Sequence, residues 1–218
     1  MFWRILPHLT ACIAADHVVL LDVRQDRYFL VPGALASLVT DWLRSAEPAA
    51  PPQAFAALMR ESGILEEGEA CAAAPVAKTV TIPVTLEMST PPARVGPVSR
   101  LDIAKTIGST RIALRLLPLA SVLCRYRDRP VANRREGVDP VALAHRFTSA
   151  RRFSPLTRQC LRDSLALGTW LKDQGVAPTL VFGVAAPAFS AHCWVQQDAA
   201  ILNDSFDRVS RFTPILAL

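Results

Sequence analysis

The 218 residues are 51% hydrophobic and 20% charged, which allows a real core and excludes a disordered chain. The net charge of +5 is unevenly spread: residues 1–70 hold nine acidic and five basic side chains (net −4), residues 94–162 fifteen basic and four acidic (net +11). That asymmetry favours two units. The apolar stretch Leu116–Cys124 is interrupted by Pro118 and far shorter than the roughly 20 residues a membrane span needs. The basic region lacks the interleaved aromatics of a single-strand platform and any zinc-finger spacing. It therefore reads as a solvated helical surface or a contact for an acidic partner, with no nucleic acid expected.

Five cysteines, Cys12, Cys71, Cys124, Cys160 and Cys193, make an odd set without a close CxxC pair. This argues against a disulfide framework and a structural zinc site. Residues Met1–Ala15 carry one Arg, and Pro7 and His8 interrupt their apolar run, so they make a poor signal peptide. A cytoplasmic chain is expected, with neither metal nor cofactor.

In chain order, His17–Val23 and Tyr28–Val31 are β-rich runs around the polar Arg24–Arg27, a hairpin closed by Pro32-Gly33. Leu35, Leu38, Val39, Trp42 and Leu43 recur at helical spacing. A second helix fits Pro52 to Glu61, with Ala54, Phe55, Leu58 and Met59 inward. The first unit spans residues 1–75. A Pro-rich linker occupies 76–99, with an extended segment at Thr79–Leu86. Residues 100–218 form the second unit. Its helices are expected near Arg100–Leu117, Leu119–Arg127, Pro140–Ala150 and Thr157–Gln174, the last capped by Thr157 or Ser154. Strands follow at Pro178–Val184, Ala191–Gln196 and Ala200–Asn203. Helices segregated from a small antiparallel sheet predict an α+β fold.

A thiol nucleophile needs a nearby base. Of the four histidines, His8 and His17 lie in the acidic unit and His145 in an Arg-rich helix, which leaves His192 on a strand. If the next hairpin turns about Asp198, His192 faces Asp204 across the ladder, and Asp198 is only a turn residue. Cys193 points to the other face of the His192 strand and reads as a core thiol. Cys160 sits at a helix start, where the macrodipole and free N–H groups favour a thiolate and an oxyanion. Spacing alone leaves a purely structural role for Cys160, His192 and Asp204 equally open.

Resemblance adds to this. Arg158–Leu167, Thr179–Val184, Phe189–Val195 and Ile201-Leu-Asn-Asp204 resemble the leader peptidases of lasso-peptide biosynthesis, the B proteins, which are transglutaminase-like cysteine proteases of papain type. The resemblance implies Cys160 as nucleophile, His192 as base and Asp204 as the acid that orients it. Cys193 stands where that family usually has a small residue. The first unit is similar to the small winged-helix-like domain that captures leader peptides by adding a strand to a sheet edge. On that likeness Tyr28, Phe29, Leu58 and Met59 are the leader-binding residues. The implied partners are the leader region of a precursor peptide and an ATP-dependent cyclase similar to asparagine synthetase. The alternatives are a transglutaminase-type acyl transferase and a non-catalytic leader-binding scaffold.

Overall fold

The computed structural model describes residues 2–5, 8–44, 52–61, 65–68, 99–133, 138–153 and 156–218, with residues 2–5, 59 and 65–68 described by their backbone alone. The expected linker at 76–99, with its extended segment, lies outside these residues apart from Ser99. The described chain is a mixed helix and sheet structure.

In the first unit, β1 (Phe2–Ile5), β2 (Leu9–Ala14), β3 (His17–Asp22) and β4 (Arg27–Leu30) precede helices α1 (Gly33–Arg44) and α2 (Gln53–Glu61) and strand β5 (Leu65–Gly68). β1 pairs with β5, and β2-β3-β4 form an antiparallel sheet. The expected hairpin is β3–β4. Its turn is held by Asp22, whose carboxylate accepts from the Arg24 N–H at 2.8 Å and the Gln25 N–H at 3.1 Å. The second hairpin, β2–β3, was not expected. Its two-residue turn, Ala15 and Asp16, has φ of 44° and 64°. Both values are left-handed, as a tight hairpin requires, yet neither residue is the Gly or Asn that normally signals one.

The continuous apolar run of β3 follows from burial on both faces. Val18 and Leu20 pack with Leu9, Ala11, Val39, Leu43 and Phe55 in the first unit's own core. Val19 and Leu21 enter the main core beside Cys12 and Ala14. One inward assignment fails, since Ala54 of α2 is exposed while Ala56 is buried; in α1, Leu38 of the apolar repeat is 52% exposed.

The second part contains α3 (Arg100–Leu116), α4 (Leu119–Asp128), α5 (Pro140–Arg151), α6 (Cys160–Asp173), β6 (Thr179–Ala185), β7 (Ser190–Gln197), β8 (Ala200–Ile201), the short α7 (Phe206–Val209) and β9 (Thr213–Ala217). Asp139 caps α5 by accepting from the Val141 N–H at 2.9 Å, with Pro140 in the first turn. The sheet order is β8-β7-β6-β9, all antiparallel. Pro214 cannot donate to a ladder, and it sits on the edge strand β9 beside an irregularity in register.

One face of this sheet (Leu180, Phe182, Val184, Cys193, Val195) packs on Leu165, Trp170 and Leu171 of α6. Each such fully buried large side chain contributes about 1.5–3 kcal/mol. Trp194 and Val181 on the other face meet Val209 of α7. The basic region is only partly a solvated surface, because Arg151 and Arg162 are buried, and Lys172 beyond it is buried too. Lys172 donates to the Tyr126 carbonyl at 2.6 Å and lies 4.3 Å from the Tyr126 ring centroid, tying α6 to α4. No described helix is long and apolar enough to cross a membrane.

Gly183 of β6 lies opposite His192 of β7. A Cβ there would stand 2.7 Å from Trp194 Cζ3 and 2.9 Å from Phe212 Cβ. Those two rings flank the His192 imidazole, with centroids at 6.2 and 5.1 Å. Gly183→Ala is expected to cost about 1–3 kcal/mol by overpacking, read as a lower urea midpoint. An unchanged midpoint would contradict the close packing.

Candidate active site

α6 begins later than its sequence pattern implies. Cys160 is its first residue, Gln159 is the extended N-cap, and no side chain caps from that position. Thr157 is therefore not the cap, and Ser154 lies outside the described residues. Asp163 reaches back instead, accepting from the Gln159 N–H at 3.2 Å. The approach segment is pinned by Arg151, whose guanidinium pairs with Asp163 at 3.0 Å and donates to the Leu156 carbonyl at 2.8 Å and the Thr157 carbonyl at 3.2 Å. Arg162 also donates to the Thr157 carbonyl. Two buried arginines thus fix the entry to the helix at whose head Cys160 stands.

The hairpin after β7 differs from expectation by one residue. Gln196 faces Ile201 and Gln197 faces Ala200, so the turn is Asp198-Ala199, with Asp198 at φ 49°. Extended further, this register would not set Asp204 across from His192. The chain instead leaves the ladder after Ile201, and Asp204 approaches from the loop before α7. Its Oδ2 lies 2.6 Å from His192 Nε2. Asp198 is exposed and bonded to the neighbouring Gln197 amide.

With Nε2 taken by Asp204, the other ring nitrogen of His192 is left for the Cys160 thiol, to which the imidazole is hydrogen bonded. That hydrogen bond is the largest influence lowering the Cys160 pKa. Burial opposes it, while the imidazolium charge and the backbone N–H groups of Cys193 and Leu161 add to it. Burial would lower the His192 pKa, but the Asp204 and Cys160 hydrogen bonds and charges prevail and raise it to about 9. Burial likewise works to raise the Asp204 pKa, and is outweighed by His192, the Ser205 N–H and Arg208, so it ends lowered. All three shifts favour a thiolate–imidazolium–carboxylate row. The first N–H groups of α6 have no carbonyl one turn back, which leaves the Cys160 N–H for an oxyanion. Such a row can attack a carbonyl, hold the oxyanion and protonate a leaving group.

Cys160 opens into a cleft with an empty volume of about 760 Å³ including its mouth, lined by Phe147, Thr148, Gln159, Leu167 and Asn203 and bordered by the exposed Arg158 and Arg208. Cys193 is buried on the core face of β7, and burial raises its pKa far above the ordinary thiol range. The four described cysteines are free.

The leader-binding residues expected from the sequence do not share one surface. Phe29 and Leu58 pack against the first unit's core. Tyr28 faces the main core, its ring 5.2 Å from that of Phe189 in the turn before β7. Burial raises the Tyr28 phenol, with smaller contributions from Cys193, Asp26, Cys160 and Cys12. The Met59 side chain lies outside the described residues. Sequence reasoning missed Arg151, Ser164 and Asn203. An Arg in an Arg-rich helix and a Ser within an apolar stripe give no local signal of burial.

With its pKa lowered by the imidazole, Cys160 is expected to react with iodoacetamide below the ordinary thiol pKa of about 8.5. Reactivity rises with pH through the lowered Cys160 pKa. Proton donation by His192 is lost as pH passes about 9. In the native protein, mass spectrometry is expected to find Cys160 labelled near pH 6 and Cys193 untouched. Labelling of Cys193 first would reverse the assignment.

No curated protein and no solved structure matches the chain. Its family is nevertheless clear, because residues 72–217 match the transglutaminase-like superfamily, whose members typically carry a Cys, His and Asp in protease or transferase sites. That match covers most of the 218 residues, and on that ground the protein belongs to the transglutaminase-like superfamily.

Proposed function

We propose that the chain is a cytoplasmic cysteine peptidase that binds and removes the leader of a lasso-peptide precursor, using Cys160, His192 and Asp204. The observation that carries this reading is the 2.6 Å contact between His192 Nε2 and Asp204, with the Cys160 thiol on the imidazole's other side at the head of α6. The Cys160 thiolate adds to the carbonyl carbon at the leader–core junction. The oxyanion forms against the Cys160 N–H, and His192 passes its proton to the departing core amine as the C–N bond breaks. The leader is then held as a thioester. Water, deprotonated by His192, adds to that carbonyl and releases the leader acid and the thiolate. Asp204 holds the imidazole's orientation and stabilises its charged form without taking the proton.

In this proposal residues 1–75 are a winged-helix-like leader-recognition unit, 76–99 a linker and 100–218 the protease domain. The first unit holds the precursor and raises the effective concentration of its scissile bond. The contact between Tyr28 of β4 and Phe189, three residues before His192, supports the idea that a leader bound along the first sheet would end near the cleft. The freed core amine would pass to a cyclase similar to asparagine synthetase.

Incubation with an unmodified precursor, followed by mass spectrometry, tests the reaction. Two fragments whose masses sum to the precursor plus one water are expected. Added mass from an amine acceptor would identify an acyl transferase instead. Cys160→Ala should yield no fragments and still bind the leader by calorimetric titration. Asp204→Asn should keep leader affinity and lose about 10²–10⁴-fold in turnover, as in other triads, whereas Asp198→Asn should cut at the wild-type rate. Wild-type cutting by Asp204→Asn would exclude its role.

A further inference from the structure

Cys160, His192 and Asp204 come from three elements, and a second row of hydrogen bonds joins the same elements one step away. Ser164, one turn after Cys160, is fully buried, and its hydroxyl donates to the Cys193 carbonyl at 2.9 Å. Asn203, the residue before Asp204, donates from Nδ2 to Ser164 Oγ at 2.8 Å. Asn203 Oδ1 accepts from the Val195 N–H at 2.8 Å. The direction of the row is determined by its ends. A backbone N–H can only donate, so the amide oxygen must face Val195 and the NH₂ must face Ser164. The hydroxyl then gives its single proton to Cys193.

The row exists because β8 is short. The Val195 carbonyl still accepts from the Leu202 N–H at 2.8 Å, but the Val195 N–H already takes a side chain, not a ladder partner. Two residues along β7, the polar edge of Cys193 faces the same way, with no strand there. The first turn of α6 takes that place: the Cys193 N–H bonds to the Cys160 thiol, and its carbonyl accepts from Ser164. One residue of β7 is therefore bonded to α6 at two points about one helical turn apart, roughly 5.4 Å. This fixes both the distance and the rotation of α6 against the strand that carries His192.

We propose that Ser164 and Asn203 are positioning residues that set the spacing of Cys160, His192 and Asp204 by locking α6, β7 and the Asp204 loop together. The inference rests on the proposed triad. Neither residue touches the reacting atoms. Ser164→Ala would remove the hydroxyl that the Cys193 carbonyl accepts from and that Asn203 Nδ2 donates to, leaving Asn203 only its Val195 bond. α6 would then be free to shift, and the Cys160–His192 hydrogen bond, which weakens steeply with misalignment, would weaken with it.

The test needs no substrate. The rate of iodoacetamide labelling at Cys160, followed by mass spectrometry across pH, reports how strongly the thiolate is held. Full-length wild type, Ser164→Ala and Asn203→Ala are compared, with circular dichroism melts to verify folding. The folded variants are expected to move the labelling midpoint upward by at least about one pH unit, a loss of about tenfold in reactivity near pH 6. Asn203 is only half-buried, so its variant decides the matter should Ser164→Ala fail to fold. A folded variant with the wild-type profile overturns the positioning role while leaving the triad intact. A wild-type Cys160 that titrates as an ordinary thiol overturns the triad, and this proposal with it.

Discussion

His192 keeps its proton at neutral pH against the pull of its own burial, because Asp204 stands 2.6 Å from one ring nitrogen and the Cys160 thiol on the other side. An ion row in a half-dry cleft tolerates little slack, since an isolated charge there would neutralise. Much of the second part of the fold can be understood as supplying that rigidity. Trp194 and Phe212 hold the imidazole from its flanks. Gly183 leaves the room that those rings occupy. Arg151, with its charge met by Asp163 and its Nη2 donating to the Leu156 and Thr157 carbonyls, fixes the segment that delivers Cys160. These groups are spread over α5, α6, β6, β7 and the C-terminal segment, so the site is a product of tertiary packing and not of any one motif.

That distribution explains what the sequence could and could not say. Long periodic segments were legible: α3, α4 and α5 lie within one or two residues of their expected bounds, and so do β6 and β7. Helix and strand period depend on local pattern, which one sequence carries. The β2–β3 hairpin was hidden by its turn, because Ala15 adopts positive φ without being glycine, and by an apolar run that resembles a failed signal peptide. β9 was hidden by Pro214, which is tolerated only because that strand lies at the sheet edge. Burial of Arg151 and Arg162 within a +11 region is invisible to charge counting, since their partners come from tertiary contacts.

The residues of the site were legible for partly the wrong reason. The hairpin register that singled out Asp204 is off by one, and a strict ladder in the true register would have turned Asp204 away from His192. The meeting survives because β8 stops at Ile201 and the chain turns, so that a loop delivers the carboxylate. A two-residue strand thereby does two things at once. It frees Asp204 to approach His192, and it leaves the polar edge of β7 for α6 to occupy.

The first unit is bound to this arrangement more closely than a tether would require. Val19 and Leu21 of β3 lie in the same buried cluster as Phe182 and Cys193 of the four-stranded sheet, while Val18 and Leu20 serve the first unit's own core. A strand apolar on both faces cannot part from the second unit without exposing half its side chains to water, at a cost of about 1.5–3 kcal/mol for each large residue. Tyr28 extends the same contact to Phe189, in the turn just before the strand that carries His192. An occupant of the β4 edge would therefore press on a surface continuous with the His192 strand. A flexible tether raises only local concentration, whereas a shared core also constrains orientation. Orientation is the larger requirement wherever two reacting atoms must meet along one line of approach, as the proposed reaction demands.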